Sequence, residues 1–167
     1  AKSANGKYLV FLDDDSFPYR GYFEFAASLL QGNQKIIAVG GPGITPEDNS
    51  AIQKASGAFF TLKVGGGFPE RYLPTGSPKL VDDWPSVNLI IRTDIFLEIG
   101  GFDTSYWPGE DTLFCDKLTE KYPKSIVYQP NLKVAHHRRG GWLAHMKQVG
   151  NYGLFRGHLF RKQRRNS

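Results

Sequence analysis

Apolar residues fall in short blocks separated by glycine, proline and charge. Lys7 to Asp13 (KYLVFLD) is an apolar run that ends in acids. It reads as a buried strand that delivers carboxylates at its C-terminal end. Pro18 then opens a helical stretch predicted over Tyr19 to Leu30, with Phe23, Ala26, Ala27 and Leu30 on one face. Lys35 to Val39 (KIIAV) is a second buried strand, stopped by Gly40-Gly41-Pro42-Gly43. A helix follows over Ser50 to Phe60. Residues 61 to 84 are rich in glycine and proline and predict a long loop, a length that is uncommon in compact domains unless functional or mobile. Ser86 to Arg92 (SVNLIIR) is a strand, and Thr93 to Ile99 a short helix capped by Gly100-Gly101. The pattern continues with a helix from Gly109 to about Lys121, strands near Ser125 to Gln129 and Leu132 to His136, and a glycine-containing helical tail from Gly141 to Lys162. Strands alternating with helices predict an α/β fold with a mixed, mainly parallel sheet flanked by helices. Residues 1–140 form the body and residues 141–167 a basic tail.

Composition narrows this frame. The 167 residues, 40% of them hydrophobic, suit one soluble domain with a sizeable core. The single cysteine, Cys115, excludes an internal disulfide framework and a cysteine metal cluster, and favours a reducing compartment. No apolar run approaches the ~20 residues that span a bilayer. The net charge of +5 is uneven: from Arg138 onward there are eight Lys/Arg and no acid, so the other residues carry 13 bases against 16 acids, a net of −3. Such a tail suits an acidic partner. Its Trp142, Leu143, Met146, Val149, Leu159 and Phe160 alternate with basic residues. This fits either a helix lying on an anionic membrane surface or one docked on the body with a solvated basic face. A cytoplasmic protein, peripheral at the inner face of the membrane and with no nucleic-acid partner, is the expectation.

Asp13, Asp14 and Asp15 stand where the first strand ends, and in open α/β sheets ligands bind beyond the carboxyl ends of strands. Three adjacent carboxylates repel one another unless a cation or hydrogen-bond donors offset them. A hard divalent ion, Mg²⁺ or Mn²⁺, takes oxygen ligands and bridges to phosphates. The competing role is a helix N-cap with an acidic first turn, which accounts for one or two of the acids. A haloacid-dehalogenase phosphatase also sets Asp-x-Asp after a strand. It wants Thr or Val two residues beyond the second Asp, where Phe17 stands here.

The segment Asn88 to Asp116 reads NLIIRTDIFLEIGGFDTSYWPGEDTLFCD. Its Asn88 and Arg92 on a strand, Gly100-Gly101-Phe102-Asp103 after a short helix, and Gly109-Glu110-Asp111 at a helix start resemble the family 2 glycosyltransferases of the GT-A fold. FLDDDS resembles that family's Asp-x-Asp, with Asp13 and Asp15 as its acids. The resemblance runs through nearly the whole chain in the family's order. It implies a partial GT-A fold and metal-dependent, inverting transfer of a sugar from a nucleotide-diphosphate sugar to a saccharide or lipid-linked acceptor, in cell-surface polysaccharide or glycolipid synthesis. It makes Asp111 the base, with Glu110 orienting the acceptor or the loop. Asp13 and Asp14 face the donor, and Asp13, Asp15 and His136 hold the metal. Asn88 falls among the acceptor contacts.

The chemistry fits those residues. Inverting transfer needs a base for the acceptor hydroxyl while the diphosphate leaves from the opposite face. A carboxylate at a helix N-terminus is held rigidly, and the dipole there favours its charged form. Glu110 and Asp111 would equally serve as ordinary first-turn acids. Strand alternation lets at most one of His136 and His137 face the metal; a structural histidine is the other reading. Arg138 and Arg139 would neutralise the leaving diphosphate, or else be surface charges. Trp107 and, less directly, Trp84 would stack on the acceptor sugar, or fill the core. The processive family members' Gln-x-x-Arg-Trp becomes Gln148-Val149-Gly150-Asn151-Tyr152, which argues against processive polymer synthesis.

In the resembled family a nucleotide-binding βαβ half precedes the Asp-x-Asp. Here that motif lies at residues 13 to 15, so the missing half is expected on the same gene product or another chain. The alternatives are a sugar nucleotidyltransferase, which uses similar carboxylates and a metal, and a non-catalytic basic module for lipid or nucleic acid.

Overall fold

The computed structural model describes residues 1–62, 68–106, 108–138, 141, 146, 147, 149–151, 153, 154 and 157. In chain order the elements are β1 (Tyr8–Leu12), β2 (Ser16–Pro18), α1 (Tyr22–Gly32), β3 (Ala38–Gly40), β4 (Gly43–Ile44), α2 (Ala51–Thr61), β5 (Lys79–Val81), β6 (Asn88–Arg92), α3 (Thr93–Ile99), α4 (Glu110–Lys121), β7 (Ile126–Tyr128) and β8 (Val134–His136). The result is an α/β fold with mixed sheets flanked by helices, as the sequence pattern predicts.

The main sheet has the order β1-β6-β3-β7-β5, and a smaller one the order β2-β8-β4. β6 runs antiparallel to both β1 and β3, β7 is parallel to β3, and β5 is antiparallel to β7. The pairing is therefore more antiparallel than alternation suggested, although β1, β3 and β7 point the same way. The cause is β6, which enters between β1 and β3 and runs opposite to both.

β6 is the hub of the packing, and its alternation divides the core. Leu89 and Ile91 face Phe96, Phe114, Cys115 and Leu118 of α3 and α4. Ile90 faces the other way, with Val39, toward Tyr22, Ala26 and Leu30 of α1. The buried stripe of α1 is thus Tyr22, Ala26 and Leu30, and Phe23, expected on that face, points outward. Residues at i, i+4 and i+8 stay on one side of a helix, and the stripe begins one residue earlier than the apolar pattern implied. Arg92 links the layers: its Nε donates to the Ile36 carbonyl at 3.1 Å and its Nη2 to the Leu30 carbonyl in the last turn of α1. A cation there also complements the dipole of α1.

Local rules explain the helix ends. Ser50 caps α2 through a capping box with Gln53. Gly100, in the left-handed region at φ 96°, ends α3 as expected. The predicted loop over 61–84 holds more order than its composition suggested: a 3₁₀ turn at Pro69–Arg71 and strand β5 lie within it. Among the described residues, no helix is long and apolar enough to cross a membrane.

Candidate active site

β1 delivers its acids by simple continuation. Leu12 pairs with Asn88, so the chain leaves the sheet at the start of β6, and the Ser16 N–H turns back onto the Asp13 carbonyl at 3.0 Å. β2 then pairs antiparallel with β8, setting Ser16 opposite His136, and the His137 N–H donates to the Asp15 carbonyl at 3.2 Å. This ladder carries a histidine from the far end of the body to the first acid cluster. His136 Nε2 lies 3.4 Å from Asp13 Oδ2 and 3.2 Å from Asp15 Oδ1. One ligand atom from each of the three residues falls within 4.8 Å of the others. Asp14 is exposed and stands outside this group.

Strand alternation decides between the two histidines. His137 faces away, with its Nδ1 2.5 Å from Asn49 Oδ1 and its ring edge-to-face on Phe17. Behind His136 lies Arg138, 7% exposed. Its Nε donates to Thr45 Oγ1 at 3.0 Å, its Nη2 to the Gly43 carbonyl at 2.5 Å, and its Nη1 sits 3.1 Å from His136 Nδ1. Its guanidinium also covers the Tyr72 ring at 5.1 Å. Gln53 of α2 donates to the Arg138 carbonyl at 2.5 Å. Arg138 therefore stands behind His136, on the side of the ring away from the two acids. Its burial and bonds come from β4 and α2, long-range contacts that no local pattern reveals.

The second group of carboxylates stands at the same end of the sheet. Ser86, two residues before β6, donates its N–H to Asp111 Oδ2 at 3.2 Å, and the Thr112 N–H donates to Asp111 Oδ1 at 2.8 Å. Glu110 Oε2 accepts from the Gly109 N–H at 2.9 Å. Backbone N–H groups at and beside the head of α4 thus pin both carboxylates. Burial pushes the Asp111 carboxyl above its ordinary value; the two backbone N–H groups oppose this, and the neighbouring Asp83 and Glu110 charges add to it. Partial desolvation of this kind makes a carboxylate a better proton acceptor.

Asp13, Asp15, His136 and Asp111 thus share one end of the main sheet: β1 ends at Asn88, and the loop before Asn88 holds Asp111.

No family model matches the chain. The pre-mycofactocin glycosyltransferase of Mycobacterium tuberculosis is 29% identical over 136 residues, covering 79% of this chain and 27% of that protein. The glucosyl-dolichyl phosphate glucuronosyltransferase of Haloferax volcanii is 22% identical over 143 residues, covering 81% of this chain and 44% of that protein. The chain is similar to glycosyltransferases. It spans less than half the length of each of these relatives.

Two residues expected to touch an acceptor in a glycosyltransferase are buried instead. Trp84 is 1% exposed and packs against Tyr128, with ring centroids 5.0 Å apart. Asn88 is fully buried: its Oδ1 accepts from the Tyr22 hydroxyl at 2.5 Å and its Nδ2 donates to the Leu132 carbonyl at 2.7 Å. An amide at the start of a central strand is surrounded on both faces, so its polar atoms find partners inside. Trp107, Arg139 and most of the basic tail lie outside the described residues. The residues that sequence reasoning missed are Arg71 and Asp83, which pair at 2.7 Å beside α4; the doubled acid of Val81-Asp82-Asp83-Trp84 was the available signal.

Proposed function

We propose that the complete protein is a metal-dependent glycosyltransferase that moves a sugar from a nucleotide-diphosphate donor to a hydroxyl acceptor with inversion. The observation that carries this is the gathering of Asp13, Asp15 and His136 at the end of β1, on the same end of the sheet as the anchored carboxylate of Asp111.

The donor set fits a divalent cation. It offers two carboxylates and one imidazole, a mixture that suits Mn²⁺ and, less well, Mg²⁺. Asp15 Oδ1 is buried and accepts no hydrogen bond, with the His136 Nε2 atom 3.2 Å away as its neighbour in the group. Three protein ligands leave further positions for diphosphate oxygens and water. When bound, the cation would offset charge on the departing nucleoside diphosphate. Arg138 would keep the His136 ring in place, and Asp14 would stand at the open side toward the donor.

Asp111 carries the proton step. Its carboxylate takes the proton of the acceptor hydroxyl as that oxygen attacks the anomeric carbon. The bond from that carbon to the diphosphate breaks on the opposite face, and the electron pair leaves with the nucleoside diphosphate. Partial burial keeps Asp111 basic enough for the task, while Ser86 and Thr112 hold its direction. Glu110, tied to the Gly109 N–H, stiffens the turn before α4.

The named relatives act on different acceptors, and a saccharide or lipid-linked acceptor is the class proposed here. The nucleotide-binding half is proposed to come from the remainder of a longer protein and to pair with β1, an edge strand among the described residues. A basic tail resting on anionic lipid at the inner face of the membrane would bring a lipid-linked acceptor within reach.

Calorimetric titration of the full-length protein with UDP, with and without Mn²⁺, followed by a sugar-transfer assay, tests the proposal. Mn²⁺-dependent nucleotide binding and release of nucleoside diphosphate are the expected results. Release of pyrophosphate would identify a nucleotidyltransferase instead.

A further inference from the structure

The segment 82–87 crosses the head of α4 and is fixed to it twice. The Ser86 N–H holds Asp111, and Cys115 Sγ donates to the Trp84 carbonyl at 3.6 Å. Asp83, in the same segment, turns its Oδ2 to Arg71 Nη2 at 2.7 Å; the side chains are 29% and 12% exposed. Asp83 Oδ1 is buried without a hydrogen-bond partner. Arg71 is in turn held in place, with its guanidinium 4.5 Å from the Phe68 ring and its own N–H donating to the Phe68 carbonyl at 3.1 Å. A half-buried carboxylate thus stands next to the head of α4, neutralised from one side by one guanidinium.

Among the described residues, the charges that bear on Asp111 are those of Asp83 and Glu110. On its own helix stand Glu110 beside it and, further along, Asp116 and Cys115. From segment 82–87 comes Asp83, and behind Asp83, from the 3₁₀ turn, Arg71. Burial raises the proton affinity of Asp111, Asp116 and Cys115, and the Asp83 charge adds to it at each.

We infer that Arg71 and Asp83 are positioning residues for the proposed base: Asp83 stands as a like charge in the segment that is pinned to the head of α4 and holds Asp111, and Arg71 tempers that charge by pairing with Asp83. The inference rests on Asp111 being the base. Like charges in a partly desolvated site raise each other's proton affinity, and an opposite charge on one partner weakens that influence. The two members of this salt bridge therefore act on Asp111 in opposite directions. A pair that merely braces the loop would act in one direction, since removal of either member breaks the same bond.

The pH profile of kcat/KM for the full-length enzyme separates the two cases, measured for wild type, Asp83→Asn, Arg71→Gln, Arg71→Lys and Asp111→Asn. Asp83→Asn is expected to move the acidic limb to lower pH, Arg71→Gln to higher pH, and Arg71→Lys to leave it near wild type because the charge remains. Circular dichroism across the same pH range confirms that each variant is folded, and the two Arg71 variants carry the test if Asp83→Asn does not fold. An acidic limb that stays fixed, or that moves the same way in Asp83→Asn and Arg71→Gln, overturns the inference while leaving Asp111 as the base. Full turnover by Asp111→Asn would remove the base assignment and this inference with it.

Discussion

The backbone N–H of Ser86 donates to Asp111 Oδ2 at 3.2 Å, tying the first turn of α4 to the loop that feeds the central strand β6. Because Asn88 is paired with Leu12 across the β1–β6 ladder, this bond also fixes Asp111, the proposed base, relative to the acids that follow β1. Asp111→Asn keeps the size of the side chain and one of its acceptor bonds while removing the proton acceptor. In the full-length protein, kcat is expected to fall by about 10²- to 10⁴-fold, the span attributed to general-base catalysis. Nucleotide affinity by titration should stay near wild type. A loss smaller than about tenfold would mean that another group takes the proton.

Asp111 also makes stability depend on pH with a definite sign. Its folded-state proton affinity is raised, chiefly by burial. The folded state therefore holds the proton to higher pH than the unfolded chain does. The stability this contributes is fully present below the ordinary carboxylate value and is lost as pH rises through the raised folded-state value. Asn at this position does not titrate. The stability of Asp111→Asn relative to wild type should therefore rise with pH across that window and level off above it. Urea unfolding at a series of pH values reads the slope directly; a flat or falling difference would contradict the burial argument.

Much of this arrangement is legible in the sequence because it rests on local pattern. KYLVFLD gives β1 and its acids, SVNLIIR gives β6, and the α3 bounds Thr93–Ile99 follow from the glycine pair after them. Long-range contact decides the rest. β2, β4 and β5 have only two or three residues each, too few for any period to show. Yet the ladder of β2 with β8 is what brings His136 to Asp15. Trp84 and Asn88 offered the chemistry of a sugar contact, but their burial depends on Tyr128, Tyr22 and Leu132, which are far away in the chain. Arg138 reads as a diphosphate contact or a surface charge, and its burial shows only once Thr45 and Gly43 are seen to enclose it.

The two adjacent histidines predict opposite outcomes for one substitution. His136 Nε2 lies within 3.4 Å of both Asp13 and Asp15, whereas His137 is engaged with Asn49 and Phe17. His136→Ala should weaken Mn²⁺ binding by at least about tenfold, the lower end of what losing even an indirect partner of a metal ligand costs. His137→Ala should leave Mn²⁺ affinity near wild type and lower the melting temperature instead, since the Asn49 amide loses a buried partner. Mn²⁺ titration by electron paramagnetic resonance on the two variants checks both. Equal losses of affinity would place both rings at the metal.

Close backbone approach near the site makes a last contrast. Gly41 lies in the turn after β3, where an added Cβ would come within 1.8 Å of the Leu132 carbonyl oxygen. Backbone on both sides leaves no flexible side chain to yield, so Gly41→Ala must push apart the β3–β4 turn and the segment leading into β8. The expected cost is about 3 kcal/mol or more, the upper end of overpacking penalties. Because that segment carries His136, the damage should extend to Mn²⁺ binding in whatever fraction still folds. Gly32, the last residue of α1, has open space around the same added atom. Gly32→Ala should therefore be neutral or stabilising by up to about 1 kcal/mol, through helix propensity and a less flexible unfolded chain. Parallel urea denaturation of the two alanine variants measures the difference. A Gly41→Ala protein as stable as the Gly32→Ala one would mean that β8 does not pack against this turn as described, and the route by which His136 reaches Asp15 would have to be redrawn.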